Sequence, residues 1–250
     1  MISKLQSKLS IPVIAAPLFI VSNPKLVIEQ CNSGIIGSFP ALNARGKNKE
    51  STLHFWLNEI KEGLKDKSMH YAVNQIVHNS NKRLNEDMDI IVEHKVPIVI
   101  TSLGAKKEVN DAVHSYGGIV LHDVTNNTFA KKAIQKGADG LIAVAAGAGG
   151  HAGHISPFAL IQEIREWFTG PLVLSGAISN GKSIKAALTL GADFAYIGSP
   201  FIATNEAYAP NDYKNMIVNS SSENIINTNV FTGIDGNYLD GSIVNSGINI

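Results

Sequence analysis

The chain has 250 residues, 44% of them hydrophobic and 17% charged, a composition that describes a globular domain with a large core and excludes a disordered or fibrous chain. Lys plus Arg and Asp plus Glu number 21 each, so the basic surplus of a nucleic-acid binder is missing and no nucleic-acid partner is expected. The single cysteine, Cys31, excludes an intramolecular disulfide, and no run reaches the roughly 18 apolar residues of a spanning helix; the expected location is cytoplasmic, without a membrane partner.

Strands of a parallel sheet are buried on both faces and read as short continuous apolar runs. The first, Val13 to Ala16, lies in the apolar stretch Ile11 to Val21, which Pro12 and Pro17 interrupt, against a signal peptide. Further strands are expected at Gly34 to Ser38, Tyr71 to Asn74, Pro97 to Thr101, Gly118 to Leu121, Gly140 to Val144, Leu172 to Ser175 and Phe194 to Ile197. Helices are expected between them at Lys25 to Cys31, Glu50 to Leu64, Lys82 to His94, Lys107 to Ser115, Asn127 to Lys136, Phe158 to Phe168 and Gly181 to Leu190. Asn126 or Asn127 is a candidate cap for a helix that Gly137 stops, and Ser156 for one with Pro157 in its first turn. The phrase GAD recurs at Gly137 to Asp139 and Gly191 to Asp193, each time between a helix and a strand. Eight strands alternating with helices predict a (β/α)₈ TIM barrel, a fold that this length accommodates as one domain. The rival, a doubly wound open sheet, usually has fewer strands, and GxGxxG does not follow the first strand. The barrel is assigned to residues 1–204. Residues 205–250 form a C-terminal segment rich in Asn and Ser, weakly periodic and without a recognisable final helix.

In such barrels the reactive groups come from the C-terminal ends of the strands, and phosphate is commonly held by the loops after strands seven and eight. Those loops here begin Gly176-Ala177 and Gly198-Ser199, small residues that let backbone N–H groups approach an anion. The loop after strand six, AAGAGGHAGHIS from Ala145 to Ser156, is dense in glycine, as expected where backbone lies flat against a planar ligand. His151 at its centre is the candidate proton-transfer group. His154 and His122, the latter beside Asp123 at the end of strand five, are candidate substrate contacts, and Asn74 at the end of strand three is a candidate polar contact. These histidines suit a metal by type, but neither a helical HExxH pair nor a cysteine cluster is present, and no metal is expected.

The loop AGAGGHAG from Ala146 to Gly153, with GADFAYIGSPFIAT from Gly191 to Thr204, resembles the nitronate monooxygenase family, formerly called 2-nitropropane dioxygenases. The resemblance extends through IPVIAAPLF, VNQ at Val73 to Gln75, SGAI at Ser175 to Ile178 and the tail phrase FTGIDGNYL. It implies a flavoprotein oxidoreductase with FMN held by Gly176, Ala177, Gly198 and Ser199 at the phosphate and by Ala16, Pro17 and Asn74 at the ring edge. Gly149 and Gly150 lie beside the ring in this reading, and Tyr196 and Ile197 are also assigned to the cofactor. His151 matches the family's active-site histidine. The implied reaction is oxidation of alkyl nitronates, extending to nitroalkanes, by O₂ to a carbonyl compound and nitrite. Departures from the family pattern stand at Gly147, where an acidic residue is common, at Ala177 in place of a glycine, and at Pro200 in place of an arginine. Family members continue past the equivalent of Ile250, so a truncated C-terminal region is expected. The alternatives are a related FMN-dependent enoyl-acyl carrier protein reductase using NAD(P)H, and an inactive flavin-binding fragment.

Overall fold

The structure, a computed structural model, describes residues 2–46, 48 and 52–248. A short helix α1 (Ile2–Gln6) precedes β1 (Val13–Ala15), α2 (Pro24–Asn32), β2 (Gly37–Pro40), α3 (Leu53–Gly63), β3 (Tyr71–Ile76), α4 (Leu84–Glu93), β4 (Ile98–Ser102), α5 (Lys107–His114), β5 (Ile119–Val124), α6 (Asn127–Gln135) and β6 (Gly140–Val144). Then come the two-residue β7 (Gly150–His151), α7 (Pro157–Arg165), β8 (Leu172–Ser175), α8 (Gly181–Leu190), β9 (Phe194–Ile197) and α9 (Ser199–Ile202). The side-chain caps explain several helix starts: Asn23 accepts from Leu26 N–H, Asn126 from Phe129 N–H, Ser156 from Phe158 N–H, and Asn180 forms a capping box with Ser183. Of the two candidate caps for α6, Asn126 is the one used; the Asn127 side chain instead accepts from Trp167 Nε1 at 2.7 Å. Helix α3 starts at Leu53, capped by Thr52; the expected start at Glu50 and Ser51 lies outside the described residues.

The strand order is β1-β9-β8-β6-β5-β4-β3-β2, with every neighbouring pair parallel. The ring closes between its ends: Ile14 and Ile36 form a parallel bridge, Ala15 N–H donates to Ile36 O at 2.8 Å and Ile36 N–H to Val13 O at 3.1 Å. The barrel expectation holds and the open sheet is ruled out by that closure. The second strand begins later than expected, at Gly37, because Gly34 sits at φ +86 and is still turning the chain away from α2.

Strand alternation divides the core in two. Ile14, Ile36, Ala72, Ile98, Ile100, Leu121, Ile142, Val173, Phe194 and Tyr196 fill the barrel interior, with Leu5 of α1 buried among them. The other face of each strand, including Val13, Phe39, Val73, Val99, Val120, Leu141 and Leu172, packs against the surrounding helices.

The repeated GAD phrase has a common task. Asp139 N–H donates to Val120 O and its Oδ2 accepts from Val120 N–H at 2.8 Å; Asp193 makes the same pair of bonds with Leu172, its Oδ2 accepting at 2.8 Å. Each aspartate thus ties the entrance of one strand to the strand preceding it in the ring. Each also meets a cation-capable partner, His114 at 2.8 Å and Arg165 at 2.7 Å. Arg165 additionally donates to the carbonyls of Gly191 and Gly170.

The C-terminal segment is more ordered than its composition suggests. It forms α10 (Asn211–Asn219), β10 (Ile225–Thr228), β11 (Gly236–Leu239) and α11 (Asp240–Asn245). The two strands form an antiparallel hairpin, and β11 also pairs with β7 in the loop after β6. The strands are four residues each, with Ile225, Ile226, Thr228 and Tyr238 suited to extended structure and Asn227, Gly236 and Asn237 not; pairing of β11 to that loop and burial of Leu239, with Ile243 of α11, hold the hairpin. The expected end at Ile250 lies outside the described residues. Among the described residues no helix is long and apolar enough to cross a membrane.

Asp193→Ala removes an acceptor shared by a half-buried guanidinium and a strand-entrance N–H, and a destabilisation of about 2–4 kcal/mol is expected by urea denaturation. Lys107→Ala, which breaks the exposed pair with Asp111, is expected to cost less than about 0.5 kcal/mol. Equal losses in the two variants would contradict the structural weight given to Asp193.

Candidate functional site

The barrel mouth is formed by the residues that follow the last apolar layer of the lumen. Two residues beyond Ala72, Ile100, Leu121 and Phe194, alternation brings Asn74, Ser102, Asp123 and Tyr196 to the same inner wall. Three of them are linked: Asn74 Nδ2 donates to Ile100 O at 3.1 Å and to Ser102 Oγ at 2.7 Å, and Ser102 Oγ donates to Asp123 Oδ2 at 2.5 Å. Asp123 Oδ1 and the Tyr196 hydroxyl are shielded and have no hydrogen-bond partner among the described residues. Burial pushes the Asp123 carboxyl up to about 6 against the pull of the Ser102 bond, and burial beside Asp123 raises the Tyr196 phenol well above its ordinary value. Asn74 and Tyr196 are sequence-assigned residues; Ser102 is new. The signal for it is positional, since the residue two beyond a lumen-facing apolar one faces the lumen too.

His122 goes the other way. It shares its face of β5 with Val120 and Val124, which pack on the helices, and its Nδ1 lies 2.6 Å from Thr101 Oγ1. It is 6% exposed, and burial pushes its pKa down to about 4. A single residue of alternation therefore separates the lumen carboxyl of Asp123 from a histidine that cannot reach the mouth. Ile197 likewise belongs to the helix-facing cluster, whereas Ala16 packs against the inner one.

Two turns and one loop frame the mouth. In the turn after β8, Gly176 has φ +153, and a Cβ there would lie 2.9 Å from Ala146 O. Ala177 follows at φ +51, and its N–H donates to Gly147 O at 2.9 Å. A Cβ on Gly147 would come 3.1 Å from that of Ala177, so the glycine loop and this turn are in close contact. The N–H groups of Gly176, Gly198 and Ser199 have no acceptor among the described residues, while that of Ala177 is already used. Gly149 and Gly150 are open on the side where a side chain would project: a Cβ on Gly149 would meet only Ser199 Oγ at 3.6 Å, and one on Gly150 would meet nothing within 4 Å.

His151 is exposed and lies in β7, where it pairs with Gly236 while Gly150 pairs with Asn237. Its Nε2 lies 2.9 Å from Thr232 Oγ1. Asn237 Nδ2 donates to Ala148 O at 2.7 Å, and His154, also exposed, meets Asp235 at 3.3 Å. The C-terminal hairpin is thus strapped across the glycine loop, and both of the loop's histidines are engaged by it.

Among the described residues, the ligating side chains that converge within 4.8 Å are His54, Glu93 and His94, at the outer helices α3 and α4. His94 Nε2 and His54 Nδ1 are 2.9 Å apart, and the Lys61 ammonium lies 3.4 Å from His94 Nδ1 while donating to His94 O. A hydrogen-bonded imidazole pair beside a resident cation accounts for the cluster. A cavity of about 570 Å³ lies at the opposite end of the barrel from the mouth and is bordered by Lys8, Lys61, Lys67 and Lys95. The ammonium groups of Lys61 and Lys67 there bind backbone carbonyls at helix ends.

The nitronate monooxygenase family model matches residues 41–246. A hydroxy-methyl-oxo-octahydroindene carboxyl-CoA dehydrogenase of Rhodococcus jostii is 23% identical over 94% of this chain and 64% of its own length. A probable nitronate monooxygenase of Staphylococcus saprophyticus is 26% identical over 63% of the chain and 48% of its own length. The chain therefore spans between about half and two thirds of these relatives. Nitroalkane oxidase of Streptomyces ansochromogenes superposes with a TM-score of 0.83 at 23% identity, covering 95% of this chain and 79% of that one, a likeness of fold.

The two groups side by side on β5 oppose each other in pH. Asp123, raised from 3.8 to about 6, contributes stability that is full below pH 3.8 and lost as pH rises through 6; His122, lowered from 6.5 to about 4, contributes stability that is full above 6.5 and lost as pH falls through 4. Asp123→Asn removes the first trend alone. The stability of that variant relative to wild type, measured by urea denaturation, is expected to grow from pH 4 to 6 and level off above 7. A difference independent of pH would contradict the lumen placement of a hard-to-ionise carboxyl.

Proposed function

This chain belongs to the nitronate monooxygenase family, and from that premise we propose that it binds FMN at the barrel mouth and oxidises alkyl nitronates with O₂ to carbonyl compounds and nitrite. The observation that carries the reading is the junction of the glycine loop with the turn after β8. There Gly176 and Gly147 leave no room for side chains, and unengaged N–H groups at Gly176, Gly198 and Ser199 suit a phosphate dianion. Open backbone at Gly149 and Gly150 suits the face of a planar ring. The residues present therefore fit the cofactor.

In this reading the backbone N–H groups of Gly176, Gly198 and Ser199 would hold the phosphate, with Ala177 shaping the turn through its bond to Gly147 instead of donating to the anion. Asn74 spends both of its amide contacts on Ile100 O and Ser102, so it offers its carbonyl oxygen to the cofactor edge. Ala16 and Pro17 would border the cofactor, and Tyr196 lies in the lumen below the mouth. FMN, when bound, supplies the electron transfer from nitronate and the reaction with O₂. His151 holds the nitronate by hydrogen bonding, or takes the α-proton of a neutral nitroalkane: the C–H bond breaks, its electron pair moves into the C=N bond, and the charge settles on the nitro oxygens. His154, exposed and paired with Asp235, borders the substrate entrance, whereas His122, on the helix side of β5, has no part.

Purified protein is expected to be yellow, to release FMN on denaturation, and to consume O₂ and release nitrite with propionate 3-nitronate. Protein that cannot be loaded with FMN, or that oxidises NAD(P)H anaerobically without any nitrite release, would overturn the reading. His151→Ala is expected to retain FMN and to lose turnover of neutral nitroalkanes by about 10²- to 10⁴-fold. Gly176→Asp is expected to lose FMN, since its side chain would meet Ala146 O and place a like charge beside the phosphate.

A further inference from the structure

We propose that Thr232, from the C-terminal segment, is a positioning residue for His151: it holds the imidazole as the Nε2–H tautomer and leaves Nδ1 as the bare nitrogen that takes the substrate proton. The mechanistic consequence rests on the reading of His151 as the proton acceptor; the tautomer itself does not.

Three polar atoms surround Thr232 Oγ1: His151 Nε2 at 2.9 Å, Ile234 O at 3.2 Å and Ile234 N at 3.4 Å. The hydroxyl has one proton and two lone pairs. Ile234 O can only accept, so it takes the hydroxyl proton; Ile234 N–H can only donate, and fills one lone pair. The remaining lone pair faces His151 Nε2, and all three contacts are satisfied at once only if Nε2 carries the proton. In a neutral ring Nδ1 is then unprotonated, and it has no hydrogen-bond partner among the described residues. When Nδ1 accepts a substrate proton, the ring becomes cationic and the Nε2–H bond to Thr232 strengthens as a charge-assisted one.

The backbone fixes the same geometry. His151 is locked into β7 against Gly236, Ala152 N–H donates to Asp235 O at 3.3 Å, and Asn237 ties Ala148. The hydroxyl of Thr232 is therefore delivered by a strap that is itself hydrogen-bonded to the loop it orients. Nothing in the tail's composition foretells this, because the contact joins residues 81 positions apart.

Two measurements test the proposal. In holoprotein labelled with ¹⁵N-histidine, two-bond ¹H–¹⁵N correlation at a pH where the ring is neutral reports the tautomer, with His151→Ala identifying the His151 signals. The expected pattern is Nε2–H in wild type and in Thr232→Ser, and a mixture of tautomers in Thr232→Val, which keeps the shape without the acceptor. In steady-state kinetics on a neutral nitroalkane, Thr232→Val is expected to lower kcat by about tenfold or more with little change in KM, a part of the general-base contribution, and Thr232→Ser to restore it. An Nδ1–H tautomer in the wild type overturns the proposal without reference to activity or to the folding of any variant. A Thr232→Val enzyme with wild-type kcat, or a Thr232→Ser enzyme that fails to recover it, overturns the positioning role. Absence of all nitro-compound turnover in wild type, with the tautomer as expected, would instead refute the functional reading and leave the tautomer assignment standing.

Discussion

Every spatial relation at the mouth depends on the closure of the strand ring between β1 and β2. Parallel strands leave unpaired N–H and C=O groups along any free edge, and here the two edge strands satisfy one another through Ala15, Ile36 and Val13. Closure forces alternate side chains into a lumen too narrow for anything but a packed core, filled by Ile14, Ile36, Ile98, Ile100, Ile142 and Phe194. The strands all point the same way, so their C-terminal ends form one rim, and residues far apart in sequence meet there. Asn74, Ser102 and Asp123 form a hydrogen-bonded series only because β3, β4 and β5 are consecutive staves of that ring.

The rim differs from the lumen below it in the kind of constraint. Below, apolar volume decides what fits; above, unengaged backbone N–H groups lie in the turns, and side chains are excluded where the glycine loop meets the turn after β8. The C-terminal hairpin adds a third constraint, since β7 exists as a strand only through its pairing with β11. His151 is thus held by the tail and not by the barrel wall. At the other end of the barrel, Asp139 before β6 and Asp193 before β9 repeat one device, a carboxylate accepting the N–H of the preceding stave.

The sequence by itself determined the number, order and approximate limits of the eight barrel strands, because burial on both faces writes a parallel strand as an apolar run that no distant residue needs to explain. It also marked the glycine loop with His151 and the two small-residue turns, since backbone approach and positive φ demand particular residue types locally. Tertiary structure decided what depended on direction and distance. Which way a strand-end side chain points turns on a register of one residue, and this separated Asp123 from His122, and Tyr196 from Ile197. Ser102 joined the candidate residues because a neighbouring stave supplied its partners, and the N–H of Ala177 is not open to an anion because Gly147 O already accepts it. The hairpin and the contact of Thr232 with His151 were illegible beforehand for the same reason: the two strands are only four residues long and are broken by Asn227, Gly236 and Asn237, and β11 meets a loop some 80 residues earlier in the chain.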